Sequence, residues 1–235
     1  MKRKLRQLLE QNRLDAIADM AAERRRVLAM LRSLTFDRDQ LVVWRAVEAM
    51  GVVADRLADS YPDAVLEELR SLFWLLSEES GGVCWHAPEA MAEIVRRRPD
   101  RFSSYISIIV TLINEMADED LDHFRPGVLW AIGRLGSIAS DTIADVLPAI
   151  EASLVAADPQ ARGMAAWCLQ QVGRADLLEG REELLGDSAR VTLYEKGALA
   201  ETTVRELVMR ARSGARDQGE DHGERHTAHY RGCQQ

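Results

Sequence analysis

Residues 158–172 read DPQARGMAAWCLQQV, and this stretch decides the fold. It opens on an Asp-Pro turn and continues as an Ala-rich helix in which Arg162 precedes Trp167-Cys168-Leu169. The same order occurs 37 residues earlier, where Arg125 precedes Trp130-Ala131-Ile132. Stepping back from there, Ala131-Ile132-Gly133, Ala90-Met91-Ala92 and Ala49-Met50-Gly51 follow one another at intervals of 41 residues. An apolar residue lies behind each of these positions: Val53, Ile94, Leu135 and Val172. Between them fall segments 63–76, 101–116 and 141–155, each apolar on one helical face. Pro148 is expected to kink the last of these. Two helices in a period of about 40 residues are the signature of an α-solenoid. Ala and Gly in the repeated triplet let neighbouring helices approach closely, so that stacked units share one core.

On these residues the chain resembles the HEAT-like repeat family, of the phycobilisome-lyase type. Asp158 to Leu169 is similar to that family's second-helix motif: an Asp-Pro turn, a small or apolar residue, Arg, then an Ala-rich helix. Asp37-Arg38-Asp39-Gln40-Leu41-Val42-Val43-Trp44-Arg45-Ala46 is a looser copy, with Val43 where the motif has Arg; Cys84 departs in the same way. The resemblance covers residues 20–175 and extends to small bacterial HEAT-like proteins with a comparable ESGG…W…APEA segment. It implies that the motif-bearing helices line the concave side of the array. It says little about function, because one fold hosts many activities.

The expected fold class is therefore all-α, an α-solenoid of HEAT-like helix pairs with a small C-terminal β-hairpin and helix as a cap. Residues 1–34 read as two short N-terminal helices and 35–178 as the repeat array. Within the array a helix is expected over 41–57 behind an Asp37–Asp39 turn and cap. Residues 179–212 form the cap. There Arg190-Val191-Thr192-Leu193-Tyr194 alternates, Glu195-Lys196-Gly197 turns, and a helix follows Thr202. Its expected task is to cover the apolar face that the last unit of a stack leaves open. Residues 213–235 lack an apolar period and read as a disordered tail.

Composition limits the function classes. The net charge is −8, and the basic residues of segment 1–33 outnumber its acidic ones by five, so the remainder carries −13. This argues against general attraction to nucleic acid or anionic membranes. Three scattered cysteines, Cys84, Cys168 and Cys233, suggest reduced thiols and a cytoplasmic location. No apolar run has the length of a signal peptide core or a membrane span.

The candidate site follows from the repeat alignment. Trp44, Trp85, Pro126 and Gly163 share one column; Glu48, Glu89, Trp130 and Trp167 share the next; Val52, Glu93, Arg134 and Gln171 share a third. At 100° per residue these positions point away from each unit's own core. They are expected to form a groove in which Trp44, Glu48, Trp85, His86, Glu89, Trp130, Arg134 and Trp167 bind a peptide or protein partner, since Trp and Arg anchor interfaces disproportionately. The competing reading is that each Trp packs on the next helix of the stack. Gly81 and Gly82 lead into a helix N-terminus and form a weak candidate anion loop. No metal ligand set, cofactor motif or catalytic constellation recommends itself. The tail residues His222, His226, His229 and Cys233 have helical spacing for a metal, but Gly219, Gly223 and Gly232 argue against a helix there. The function expected is a non-enzymatic interaction or scaffold module. A lyase or chaperone-lyase for a tetrapyrrole is the alternative that the resemblance implies, and nucleic-acid binding ranks last because Glu48, Glu89 and Glu93 make the groove acidic.

Overall fold

The computed structural model describes residues 1–24, 26–76, 86–118 and 121–214. The N-terminal segment contributes α1 (Lys2–Glu10), α2 (Leu14–Glu23) and α3 (Val27–Arg32), three short helices where two were expected. α4 (Gln40–Leu57) starts at Asp39, whose carboxylate accepts from the amides of Leu41 and Val42 and so satisfies free donors of the first turn. α5 (Pro62–Leu76) places Pro62 at its first residue, where a missing N–H costs little. α6 (Ala87–Arg97), the single-turn α7 (Pro99–Phe102) and α8 (Ile106–Asp118) follow, then α9 (Arg125–Leu135).

The segment expected as one kinked helix over 141–155 is broken instead. It comprises α10 (Ser140–Ile143), a 3-10 turn and α11 (Leu147–Ser153), with Pro148 in the first turn of α11. Proline removes an amide and crowds the preceding turn, so a restart costs less than a continuous helix here. α12 (Pro159–Gln171) is capped by Asp158, which accepts from the Gln160 amide. α13 (Glu182–Leu185) leads to the hairpin.

α4 packs on α6, α6 on α9, and α9 on α12. These are the four helices that the repeated triplets mark. The triplet's small residues serve the contact: a Cβ on Gly51 would stand 2.5 Å from the Glu93 backbone carbonyl oxygen, so α4 and α6 meet nearly backbone to backbone. α2 and α3 also contact α4, α5 contacts α6, α8 contacts α9 and α11 contacts α12. One continuous apolar cluster runs from Leu5 in α1 to Ala211 near the end of the described chain. No helix among the described residues is long and apolar enough to cross a membrane.

The structure is mostly helical and, among the described residues, carries one two-stranded antiparallel sheet. β1 (Arg190–Glu195) pairs with β2 (Ala198–Thr203), Glu195 opposite Ala198. The two turn residues, Lys196 and Gly197, have φ of 52° and 76°, the backbone that a two-residue hairpin of right-handed twist requires. A final helix, α14, occupies residues 204–214. Its cap is Thr203 rather than the expected Thr202. Thr203 Oγ1 accepts from the Glu206 amide and Glu206 Oε2 accepts from the Thr203 amide, a reciprocal capping box.

The hairpin does more than cover an open end. β1 lies on α12 and β2 reaches α4, so the sheet crosses the face on which Trp44, Trp130 and Trp167 stand. A Cβ on Gly163 would meet Val191 at 2.7 Å, and one on Gly197 would meet Asn12 at 2.5 Å. The two strands thus connect the last repeated helix to the link between α1 and α2.

Candidate functional site

His86 caps α6 with φ of 55°, a left-handed conformation that L side chains seldom adopt. Pro88 follows within the first turn, where it is tolerated. This geometry turns the imidazole back over its own helix, so that His86 Nδ1 meets Glu89 Oε1 at 2.9 Å. Glu89 is buried, and its carboxylate lies against Gly127 in the first turn of α9, where a Cβ would collide with it. The positive end of the α9 dipole favours a carboxylate at that point. Burial lowers the proton affinity of His86, but the charge and hydrogen bond of Glu89 outweigh it and the pKa lies above the ordinary histidine value.

Beside this pair opens a cleft of about 530 Å³. Its described lining combines the apolar surfaces of Trp44, Pro88, Phe124 and Pro126 with polar groups of His86, His123, Gln40 and Gln160. The Trp44 ring meets the His86 ring edge-on at 4.9 Å between centroids.

The aromatic row continues from the cleft under the hairpin. Trp44 meets Trp130 edge-on at 4.7 Å and stacks on Tyr194 at 5.4 Å. Trp130 stacks on Trp167 at 6.3 Å. Three of these groups find a hydrogen-bond partner: Trp130 Nε1 donates to the Tyr194 carbonyl at 3.1 Å, Trp167 Nε1 to Glu195 Oε1 at 3.3 Å, and the Tyr194 hydroxyl to Glu48 Oε2 at 2.6 Å. Gln160 acts as a neighbouring strand would, its amide taking both the Thr192 carbonyl and the Thr192 N–H. Arg45 donates to the Gly197 carbonyl at 2.8 Å and also to the carbonyls that end α1.

The predicted groove residues therefore divide. Trp44, His86 and Glu89 come together at the cleft. Trp130 and Trp167 are each only 1% exposed, held between α9, α12 and β1, so they are core residues and not direct anchors for a partner. Glu48 is engaged by Tyr194. Arg134 lies 5.2 Å above the Trp130 ring and pairs with Glu93. The acidic groove expected from Glu48, Glu89 and Glu93 does not form among the described residues: Glu48 accepts from Tyr194, Glu89 is buried against the His86 imidazole, and Glu93 is buried among arginines. Trp85, Gly81, Gly82 and Cys84 lie outside the described residues, as do Glu119 and Asp120 of the acidic loop and the tail with His222, His226, His229 and Cys233. Cys168 is a buried free thiol, pushed far up by burial. No cluster of three or more His, Cys, Asp or Glu fit to hold a metal occurs among the described residues.

Sequence reasoning missed Tyr194, Gln160, Phe124 and His123. Tyr194 left a signal. In β1 the inward residues alternate as Val191 and Leu193, and Tyr194 is a large aromatic on the opposite, otherwise polar side. A strand with large apolar side chains on both faces is covered on both.

No family model matches the chain. Over 112 residues, 47% of its length, it is 31% identical to a protein of Archaeoglobus fulgidus described as uncharacterized. The match spans 55% of that relative, so the chain covers about half of its length.

Proposed function

We propose that this chain is a HEAT-like α-solenoid serving as a non-enzymatic protein-interaction module, and that it takes an extended segment of a partner polypeptide in the cleft beside His86. The observation that carries this reading is the hairpin. The tryptophan-bearing face already receives an extended segment, its own, and does so with peptide-recognition chemistry: an indole N–H on a carbonyl, a Gln amide on both backbone groups of Thr192, and an aromatic side chain stacked on Trp44. The cleft continues the same face with Trp44, Phe124 and two prolines, and with the amide of Gln40 at its rim. Apolar walls with a few placed polar groups are the usual composition of a recognition pocket.

The solenoid half of the proposal is supported by the succession α4, α6, α9, α12 at the repeat interval. It is also supported by the ion pair between Glu93 and Arg134, which occupy equivalent positions of adjacent units.

The test is affinity capture from native-host lysate with the full chain and with a Trp44→Ala/Phe124→Ala variant. A partner held by the wild type and released by the variant, whose Tm stays within about 5 °C, is the expected result. Equal capture by both proteins defeats the cleft as the site. A Trp130→Ala variant is unsuitable for this purpose, because Trp130 is core.

A further inference from the structure

A second cluster stands where α6 and α9 end. Glu93 is fully buried, and Arg134 Nε approaches its Oε1 at 2.5 Å while Arg96 Nε approaches its Oε2 at 2.9 Å. Arg97 Nε stands 4.0 Å from the same Oε2. Three guanidinium groups thus surround one carboxylate, and no second carboxylate pairs with any of them among the described residues. Arg96 and Arg97 lie in the last turn of α6 and Arg134 in that of α9. Each helix C-terminus contributes the equivalent of about −0.5 charge. Of two surplus positive charges, about one remains without compensation.

The unused hydrogen-bonding groups agree with that count. Arg96 and Arg134 spend their Nε on Glu93, and no terminal amino group of the three arginines is hydrogen-bonded within the described residues. The Nε of Arg97 is buried without a hydrogen-bond partner. The side chains of Arg134, Arg97 and Arg96 remain 20%, 27% and 28% exposed, so the cluster opens to solvent. Burial, with the neighbouring charges of Arg134 and Arg97, lowers the pKa of Arg96 in spite of Glu93. Guanidinium edges match oxyanions in pairs of parallel hydrogen bonds, and a phosphate offers two charges and several oxygens to neighbouring edges.

We propose that Arg96, Arg97 and Arg134 form a phosphate-binding site, with Glu93 holding the three side chains in one orientation. The proposal is independent of the partner cleft, which lies at the opposite end of α6.

The experiment titrates inorganic phosphate into the full chain at constant ionic strength, with chloride as the control, and follows the arginine Nε–H resonances and the Tm. Phosphate is expected to shift the three resonances saturably and to raise the Tm, and chloride is expected to do neither. Arg97→Gln should weaken phosphate binding about tenfold, the loss of one charge-assisted contact. Arg97→Lys, which keeps the charge but not the fork, should fall between. Competition by phenyl phosphate at the same resonances would assign the site to an esterified phosphate, and its exclusion to the free anion. Resonances of the wild type that do not move, or that move equally with chloride or acetate, overturn the proposal and leave the helix carbonyls as the sole counter-charge. Wild-type affinity in Arg97→Gln also overturns it. The wild-type titration decides the matter if neither variant folds.

Discussion

His86 holds an uncommon backbone angle and a single strong partner, and the pH dependence of the molecule should show both. Its folded pKa is raised by Glu89 against the opposing effect of burial, while in the unfolded chain it returns to about 6.5. A cation with a raised folded pKa contributes stability that is fully present below the unfolded value and is lost as pH rises through the folded one. Urea unfolding of Glu89→Gln should therefore show a larger deficit at pH 5.5 than at pH 9. An equal deficit at both would mean that His86 and Glu89 are not coupled.

The spacing of this pair was legible, because three residues on a helix bring side chains to one face. Its depth was not. Charged residues default to solvent, and only the groups that satisfy Glu89 and Glu93 permit their burial. For Glu93 one such group, Arg134, was present in the alignment as the same column one unit later. The column gave adjacency, but nothing in one sequence tells whether an adjacent pair faces water or core.

At the scale of elements, the close contact of α4 and α6 rests on Gly51. A methyl group there meets backbone, which cannot rotate away, so Gly51→Ala should force the helices apart and lower stability by about 1–3 kcal/mol, measured by chemical denaturation. In a free helix the same change is favourable, so the sign tests the contact itself. The hairpin depends on Tyr194. Removing its hydroxyl in Tyr194→Phe leaves Glu48 without that donor and should cost about 2 kcal/mol. Burial and then Glu48 also push the phenol pKa far up. Wild-type stability should accordingly fall as pH rises past about 10, the unfolded tyrosine value, and the Phe variant should fall less. The strands and the turn were readable from alternation and from Lys196-Gly197. Their seat was not, since alternation tells which residues point inward and not which helix receives them. The hairpin lies against Arg45 and Glu48, whose contacts with it span about three-fifths of the chain.

At the scale of the whole molecule, the successive helix contacts describe a stack in which each helix touches its neighbours, and such a stack can come apart by increments. The hairpin opposes that. Arg45 joins the end of α1 to the hairpin turn, and Tyr194 reaches Glu48, so the first and last parts of the structure share bonds. Wild-type unfolding in urea should be one transition, with helix content by circular dichroism and tryptophan emission coinciding. In an Arg45→Ala/Tyr194→Ala variant the two signals should separate, because α1 and α4 lose their tie while α9 and α12 keep their mutual packing. Coincident signals in that variant would show that neighbour contacts alone maintain cooperativity. Trp130 and Trp167 report well on this, since both are buried beneath the strands.

The same tie sets a condition on biosynthesis. The carbonyl of Gly197 that Arg45 requires is 152 residues downstream. While the chain is still being translated, α4 can emerge and meet α1 and α2, but the indoles of Trp130 and Trp167 lack their strand cover until residues 190–203 have left the ribosome. A nascent chain stalled before that point would present a row of uncovered aromatic rings, which is the kind of surface that chaperones bind and that aggregation exploits. For this protein the strands of residues 190–203 are what close over rings that the earlier helices present.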